Sequence, residues 1–190
     1  LAISIEGDPA VKDQMRFTLK DGALGVLRKD KTFSGDDKIA IVNVTMPAPK
    51  ELVMAGSGKM TAAALASSAK VTIAGSGVIE TPAVQGDSLD LTIAGSGNYR
   101  AAGNVRRLDL TIAGSGSASL DALKADSVKV TIAGSGSAAF ASDGDVDATI
   151  MGSGDVTVKG RARCKVSSMG SGKLVCEAGS TNKTEAETSQ

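Results

Sequence analysis

The chemistry open to this chain is limited by the residue type it lacks. None of its 190 residues is a histidine, which excludes serine–histidine nucleophilic catalysis, the common zinc sites and the usual general base near neutral pH. The remaining groups that could act chemically are a column of serines, one group of aspartates, two groups of arginines and a pair of cysteines. We weigh each of them against a structural role.

The serines lie in Gly-Ser-Gly triplets that recur along the chain. The seven triplets begin at Gly56, Gly75, Gly95, Gly114, Gly134, Gly152 and Gly170. A serine between two glycines has no base within the motif, and a phosphate-binding loop would need a Lys-Ser/Thr pair and a following helix. We therefore interpret these serines as small turn residues and expect no catalytic residue among them.

The only local concentration of acidic residues is formed by Asp143, Asp145 and Asp147, with Asp155 further on. A calcium-binding repeat would place an aspartate in every turn. The residues that follow the seven triplets are instead Lys59, Val78, Asn98, Ser117, Ser137, Asp155 and Lys173. We expect a solvated turn at the acidic group, no metal site and no cofactor.

The connections between the repeats differ in sequence, and they contain two groups of arginines. The first group is Arg100, Arg106 and Arg107, and the second is Arg161 and Arg163. Repeat proteins usually bind partners through variable segments displayed on a regular scaffold. These five arginines are therefore the candidate binding residues, and a solvated basic edge is the alternative interpretation.

The two cysteines occupy related positions around the last triplet. Cys164 lies six residues before Gly170, and Cys176 lies six residues after it. Both fall on inward positions of one repeat, so a disulfide that closes the last coil is compatible with the spacing. Two separate buried thiols that act as small hydrophobic residues are the alternative.

The elements that must position these groups follow from the spacing of the triplets. Successive triplets are 18, 19 or 20 residues apart, a period typical of a stacked repeat fold. Apolar and polar residues alternate before each triplet, as in Leu89-Asp90-Leu91-Thr92-Ile93-Ala94, which is the pattern of a strand. We predict an all-β fold, a single-stranded parallel β-helix (solenoid) with about 19 residues per coil and Gly-Ser-Gly corners.

Two columns of this predicted solenoid bear on ligand binding. A threonine column faces outward three residues before the triplets, at Thr72, Thr92, Thr111, Thr131 and Thr149. Such a ladder could order water as in ice-binding β-helices, although strand propensity explains it equally well. Tyr99 falls on an inward position and there is no tryptophan, so the sequence shows no aromatic platform for a sugar ring.

The chain is predicted to be one domain with three parts. Residues 1–49 lack the triplet but keep the alternation of strands, with a turn at Asp21-Gly22, and are expected to form irregular first coils that cap the stack. Residues 50–176 contain the regular Gly-Ser-Gly coils. Residues 177–190 form a polar tail that we expect to be disordered.

A family resemblance rests on two stretches of this chain. Val44-Thr45-Met46-Pro47 leads into Glu51-Leu52-Val53-Met54-Ala55-Gly56-Ser57-Gly58, and Thr-Ile-Ala-Gly-Ser-Gly then repeats. This pattern resembles the bacterial "putative auto-transporter adhesin, head GIN" domain family over about residues 1–178. The resemblance implies an exported β-helical protein whose biochemical function is not established, and it supplies no catalytic residues. Export would favour the disulfide between the two cysteines.

From these observations we expect a non-catalytic module of the cell envelope or surface, with an adhesin-like binding or scaffold role. The expected location is the periplasm, the outer-membrane surface or the extracellular space, and the expected partner is an unknown cell-surface protein or glycan. Lys plus Arg and Asp plus Glu both number 21, which gives no reason to expect nucleic acid or an anionic membrane as partner. No apolar run approaches the roughly 20 residues of a membrane span, so we expect no membrane insertion.

Two functions from other classes stay open. One is a polysaccharide lyase or hydrolase that uses Asp143, Asp145, Asp147 and Arg161. The other is a purely structural envelope spacer without a ligand. Pairing of exposed end coils would also allow a homo-oligomer, which nothing in the sequence specifies.

Overall fold

The computed structural model describes residues 1–7, 9–28, 40–177 and 183–184. The chain divides into two compact units, Leu1–Pro47, called here the N-terminal unit, and Ala48–Gln190, called the solenoid. The elements of the N-terminal unit are β1 (Ala2–Gly7), α1 (Pro9–Lys12), β2 (Met15–Lys20), β3 (Ala23–Arg28) and β4 (Ala40–Thr45).

The described part of the solenoid consists of strands that form one sheet. They are β5 (Glu51–Gly56), β6 (Lys59–Thr61), β7 (Ser68–Gly75), β8 (Val78–Gly95), β9 (Asn98–Gly114), β10 (Ser117–Gly134), β11 (Ser137–Gly152), β12 (Asp155–Lys159), β13 (Arg163–Gly170), β14 (Lys173–Cys176) and β15 (Lys183–Thr184). Every pairing between them is parallel, and the main path runs β14-β12-β11-β10-β9-β8-β7-β5. The predicted parallel β-helix is confirmed.

The coils are more continuous than the sequence indicated. Alternation predicted a strand on each side of the corner and then a variable connection. In β8 to β11 the connection is also strand, and each strand runs to the first glycine of the next triplet. Irregular register marks where these strands bend, for example between Thr81 and Val84. Bulges of this kind turn a strand sharply without ending its pairing.

The Gly-Ser-Gly corners stack directly on one another, and Gly114 shows why glycine is required. Its φ is +120°, and a Cβ there would lie 2.6 Å from the carbonyl oxygen of Gly95 in the preceding coil. The N–H of Ser115 donates to that same oxygen at 2.9 Å. A Cβ on Gly116 would lie 2.5 Å from Cγ2 of Ile93, so the second glycine makes room for the isoleucine below it.

The inward side chains form a narrow aliphatic core, as the alternation predicted. The two largest fully buried side chains, Tyr99 and Phe140, also lie in it. The hydroxyl groups of Tyr99 and Thr81 are 2.5 Å apart and satisfy each other inside the core. Burial raises the pKa of Tyr99 to about 12, an effect that the hydrogen bond to Thr81 partly offsets.

The N-terminal unit departs from the predicted irregular coils. β1 pairs antiparallel with β4, and β2 pairs antiparallel with β3. A coil of the solenoid would require parallel pairing, so these strands are two-stranded ribbons and not first coils. The turn predicted at Asp21-Gly22 is confirmed, since it joins β2 to β3 and both residues have positive φ, +52° and +78°. The capping role stays a prediction.

The predicted disordered tail, residues 177–190, lies outside the described residues except for Glu177 and β15. Within it, Lys183 and Thr184 pair in parallel with Lys165 and Val166 of β13.

Candidate functional site

The outward residues before each corner stack in register and form a sheet face. The threonine column is continuous, since Thr92 pairs with Thr72 and Thr111, and Thr131 pairs with Thr111 and Thr149. A charged column runs two residues before it, at Lys70, Asp90, Asp109, Lys129, Asp147 and Lys165. Charges so close interrupt a uniform hydroxyl surface, so the geometry favours strand packing over ice binding as the reason for the threonines.

The structure separates the adjacent Arg106 and Arg107, which the sequence placed in one group. Nε of Arg106 donates to Oδ1 of Asp87 in the neighbouring coil at 2.9 Å, and the terminal guanidinium nitrogen contacts the same oxygen. This hydrogen bond, with a smaller one from Ser67, holds the pKa of Asp87 below its usual value. Arg107 is exposed and lies in register with Ser88 on one side and Ser127 on the other. Within the described residues it has no ion-pair partner, so its charge remains available to a ligand.

The second arginine group lies beside the acidic residues. Arg163 forms an ion pair with Asp145, with Nε 2.9 Å from Oδ1. The backbone N–H of Arg161 donates to Oδ1 of Asp143 at 3.0 Å, and Nζ of Lys124 lies 2.6 Å from Oδ2 of the same carboxylate. Lys124, followed by the N–H of Arg161, lowers the pKa of Asp143. A lowered pKa keeps Asp143 ionised, which disfavours it as a general acid, and its contacts make it part of a cross-coil ion pair.

The remaining predicted arginine, Arg100, belongs to a chain of charges across three coils. Glu80 lies between Lys59 at 2.9 Å and Arg100 at 3.6 Å, and the hydrogen bond from Lys59 is the main cause of its lowered pKa. Lys159 reaches Asp121 at 2.7 Å, although these two residues are separated by a whole coil, and Asp121 raises the pKa of Lys159. The pairs at Glu80 link adjacent coils, and the pair of Asp121 and Lys159 links two coils across an intervening one.

A shallow depression of about 480 Å³ lies where residues 127–129, 145–147 and 163–165 run side by side. Both signs of charge line it, with Lys129 and Lys165 on either side of Asp147. Across the described ranges, no three His, Cys, Asp or Glu side chains are grouped closely enough to hold a metal ion. The depression is therefore a mixed polar surface, open to a ligand but without the ligand set of a metal centre.

Cys164 and Cys176 form a disulfide, with their Cα atoms 6.8 Å apart. The bond joins β13 to β14 and closes the last coil across its Gly-Ser-Gly corner.

Comparison with known proteins identifies the family of this chain. Residues 1–162 match the family described as "Putative auto-transporter adhesin, head GIN domain". The chain belongs to this family. The resemblance drawn from the repeated Thr-Ile-Ala-Gly-Ser-Gly is thereby confirmed, and the disulfide between Cys164 and Cys176 lies beyond the matched residues.

Solved structures share the head GIN fold. A "putative adhesin" from Bacteroides fragilis NCTC 9343 is 19% identical with a TM-score of 0.82, and the match covers 92% of this chain and 81% of that one. A "putative lipid binding protein" from Parabacteroides distasonis ATCC 8503 is 25% identical with a TM-score of 0.67, covering 92% and 83%. A "putative adhesin" from Parabacteroides merdae ATCC 43184 is 22% identical with a TM-score of 0.65, covering 92% and 82%.

The three solved structures are named as putative adhesins or as a putative lipid binding protein, and none of the three is named as an enzyme. The family description is that of a secreted or surface protein. No protein of curated function matches the chain. The described part of the chain has no helix that is both long and apolar enough to cross a membrane.

Proposed function

We propose that this head GIN domain is a non-catalytic, exported surface module that binds a cell-surface protein or glycan, and not nucleic acid. The proposal is carried by the family match over residues 1–162, on a scaffold whose inward columns are apolar in every coil while its outward charged column changes from coil to coil. Val71, Leu91, Leu110 and Val130 repeat one inward position. The adjacent outward position is lysine in some coils and aspartate in others.

Arg107 is the best-supported contact residue on this scaffold. Arg107 is exposed between two serines of the adjacent coils, while Arg106, Arg163 and Arg100 each contact a carboxylate of a neighbouring coil. Arg161 lies beside Asp143, to which its backbone N–H donates. A guanidinium without a carboxylate partner can donate to carboxylate, carbonyl or hydroxyl groups of a ligand. Contact at this face would not disturb the core.

The test uses two adjacent arginines as a matched pair. Immobilised wild-type domain is exposed to solubilised envelope proteins and to a panel of polysaccharides, and specifically eluted material is identified. We expect one defined species to be retained, and Arg107→Ala to lower its retention at least severalfold. Arg106→Ala removes the same charge at the adjacent position. Because Arg106 already contacts Asp87, we expect this variant to lower retention less than Arg107→Ala does.

Two results would contradict this proposal. Absence of specific retention from every fraction would favour a structural spacer over a binding module. Cleavage of any polymer, with or without calcium, that disappears in Asp145→Ala would show that the domain is an enzyme.

A further inference from the structure

The strand β14 lies at one end of the main sheet path of the solenoid. It pairs with β12 on one side, and no strand among the described residues pairs with its other side. β15 lies over β13, at Lys165 and Val166, and leaves β14 uncovered. An edge strand of this kind presents unpaired N–H and C=O groups that can pair with another chain.

The hydrogen bonds of β14 show which of its backbone groups face the open edge. The N–H of Glu177, directly after the strand, donates to the carbonyl oxygen of Val158 in β12 at 3.0 Å. The hydrogen-bonding groups of successive residues in a strand point to opposite edges. Leu174 and Cys176 therefore direct their N–H and C=O groups away from β12, to the open edge.

The side chains of β14 leave apolar surface uncovered on both of its faces. Leu174 and Cys176 point inward but are only half-buried, whereas Val156 and Val158, with which they pair in β12, are fully buried. Val175 points outward and is 54% exposed. The same outward column holds small, polar or charged residues in the preceding coils, at Thr61, Glu80, Arg100, Ser119, Ala139 and Thr157.

The charges at the two ends of β14 have opposite signs. Lys173 begins the strand and Glu177 directly follows it, and both are exposed. Neither forms an ion pair with another described residue, although Lys173 lies in register with Asp155. Lys159, which Glu177 influences weakly, contacts Asp121 instead. A strand that ends in opposite charges is complementary to an antiparallel copy of itself.

One antiparallel register between two copies of β14 satisfies all of these groups. Val175 then faces Val175 of the second copy, and Lys173 faces Glu177 of the second copy at both ends. Leu174 faces Cys176 of the second copy, and their free backbone groups exchange N–H···O bonds as a hydrogen-bonded pair. The inward side chains of the two copies thereby extend the apolar interior across the contact.

We propose that the open edge of β14 binds a second copy of this chain by antiparallel pairing centred on Val175. The contact is isologous, so it closes a two-fold dimer and covers both open β14 edges. Parallel stacking on the first coil of another copy fits less well. It would place Lys173 beside Lys59, because both directly follow a triplet. The dimer contact is independent of the binding face around Arg107, which lies in β9.

Sedimentation equilibrium of the oxidised full chain tests the proposal. The pairing involves residues 173–177, and so short a contact is typical of weak association. We expect a monomer–dimer equilibrium with a dissociation constant on the order of 10–100 µM. A chain that stays monomeric up to about 1 mM, or one that forms an open-ended series of oligomers, would overturn the proposal.

Substitution at the centre of the contact gives the largest expected change. Val175→Lys places two cations opposite each other across the two-fold axis and should raise the dissociation constant by about tenfold or more. The matched control is Val53→Lys, which adds the same charge at an outward valine that is 56% exposed in β5, at the other end of the sheet path. The control should dimerise like the wild type, and equal effects of the two substitutions would contradict the assignment to β14.

Charge reversal tests the register. Lys173→Glu and Glu177→Lys each place like charges opposite one another and should raise the dissociation constant severalfold. The double variant Lys173→Glu/Glu177→Lys restores opposite charges and should dimerise nearly as well as the wild type. A double variant that dimerises no better than the single variants would rule out this register. Arg107→Ala should leave dimerisation unchanged, so failure here is distinguishable from failure of the proposed binding face.

Discussion

The solenoid and the N-terminal unit differ in how far the residues of their strands are buried by neighbouring strands. In the solenoid each coil covers the next, so inward residues from Met54 to Cys164 are buried and several surface cations contact a carboxylate one or two coils away. In the N-terminal unit the strands pair only two at a time, and none of its described residues is in that core. Stacking repeats supplies burial that a two-stranded ribbon cannot reach alone.

The largest effect expected from this comparison concerns the glycines. Gly114→Ala should lower the free energy of unfolding by about 3 kcal/mol or more, because it combines an unfavourable positive φ with a clash against the backbone below. Gly56→Ala has a similar φ of +114° but no atom within 4 Å of the added Cβ, and should cost roughly 1–2 kcal/mol. Gly22→Ala in the N-terminal hairpin, also without a near neighbour, should behave like Gly56→Ala. Urea unfolding followed by circular dichroism measures all three, and equal losses for Gly114 and Gly56 would contradict the role of stacking.

The next effect concerns the disulfide, which strengthens the solenoid alone. Cys164 and Cys176 are 12 residues apart, and closing a loop of that size is worth about 3 kcal/mol in the chain-entropy description. Reduction should therefore increase hydrogen exchange in residues 163–176 and leave residues 15–28 unchanged. The variant Cys164→Ala/Cys176→Ala should show the faster exchange with or without reductant. Faster exchange in both units after reduction would show that the last coil is coupled to the N-terminal unit.

A smaller and pH-dependent effect should arise at Tyr99. Its pKa is about 12 in the folded protein and 10.0 ordinarily, so the unfolded chain loses the phenolic proton first as the pH rises. Stability from this group is complete below pH 10 and declines by roughly 1.4 kcal/mol per unit up to about pH 12. Tyr99→Phe should reduce the slope of unfolding free energy against pH over that interval, at the cost of the hydrogen bond to Thr81. An unchanged slope would mean that the tyrosine is not held neutral by burial.

The smallest expected effect concerns the surface ion pairs of the solenoid. Glu80, Asp87 and Asp143 have pKa values below their ordinary values. Their contribution to stability is therefore present above the ordinary values of 4.5 and 3.8 and declines as the pH falls through the lower folded-state values. Because Asp87 and Asp143 are exposed and Glu80 is partly exposed, the effect should be weak and should diminish in high salt. Thermal unfolding of Asp87→Asn and wild type between pH 3 and pH 6 measures it, and a variant more stable than wild type at pH 6 would oppose this assignment.

Much of the solenoid could be predicted because the residues that define one coil lie close together in the sequence and recur in every repeat. The triplet at Gly114 requires glycine for its own φ, and the alternation through Leu108, Leu110 and Ile112 describes one strand. Each repeat contributes the same evidence again, so the fold class, the corner and the inward columns all followed from the sequence. The glycine at Gly103, where a Cβ would lie 1.9 Å from the carbonyl oxygen of Val84, was missed because it belongs to no repeated triplet.

The candidate site was less predictable because it depends on which residues lie in adjacent coils. Arg106 and Arg107 look equivalent in the sequence, yet only Arg106 has an acidic neighbour at the right position one coil away. A search for opposite charges about one period apart could have found Asp87 and Arg106, and Asp145 and Arg163. It would not have found Asp121 and Lys159, which meet across an intervening coil.

The sequence by itself determined the parallel solenoid, its Gly-Ser-Gly corners and its aliphatic interior, because period and side-chain size act within one coil. Only the tertiary structure decided that Arg106 and not the adjacent Arg107 pairs with a carboxylate among the described residues, that the two cysteines are bonded, and that β1 to β4 pair as antiparallel ribbons. Strand alternation is the same in parallel and antiparallel pairs, so it states that a strand exists but not which strand lies beside it.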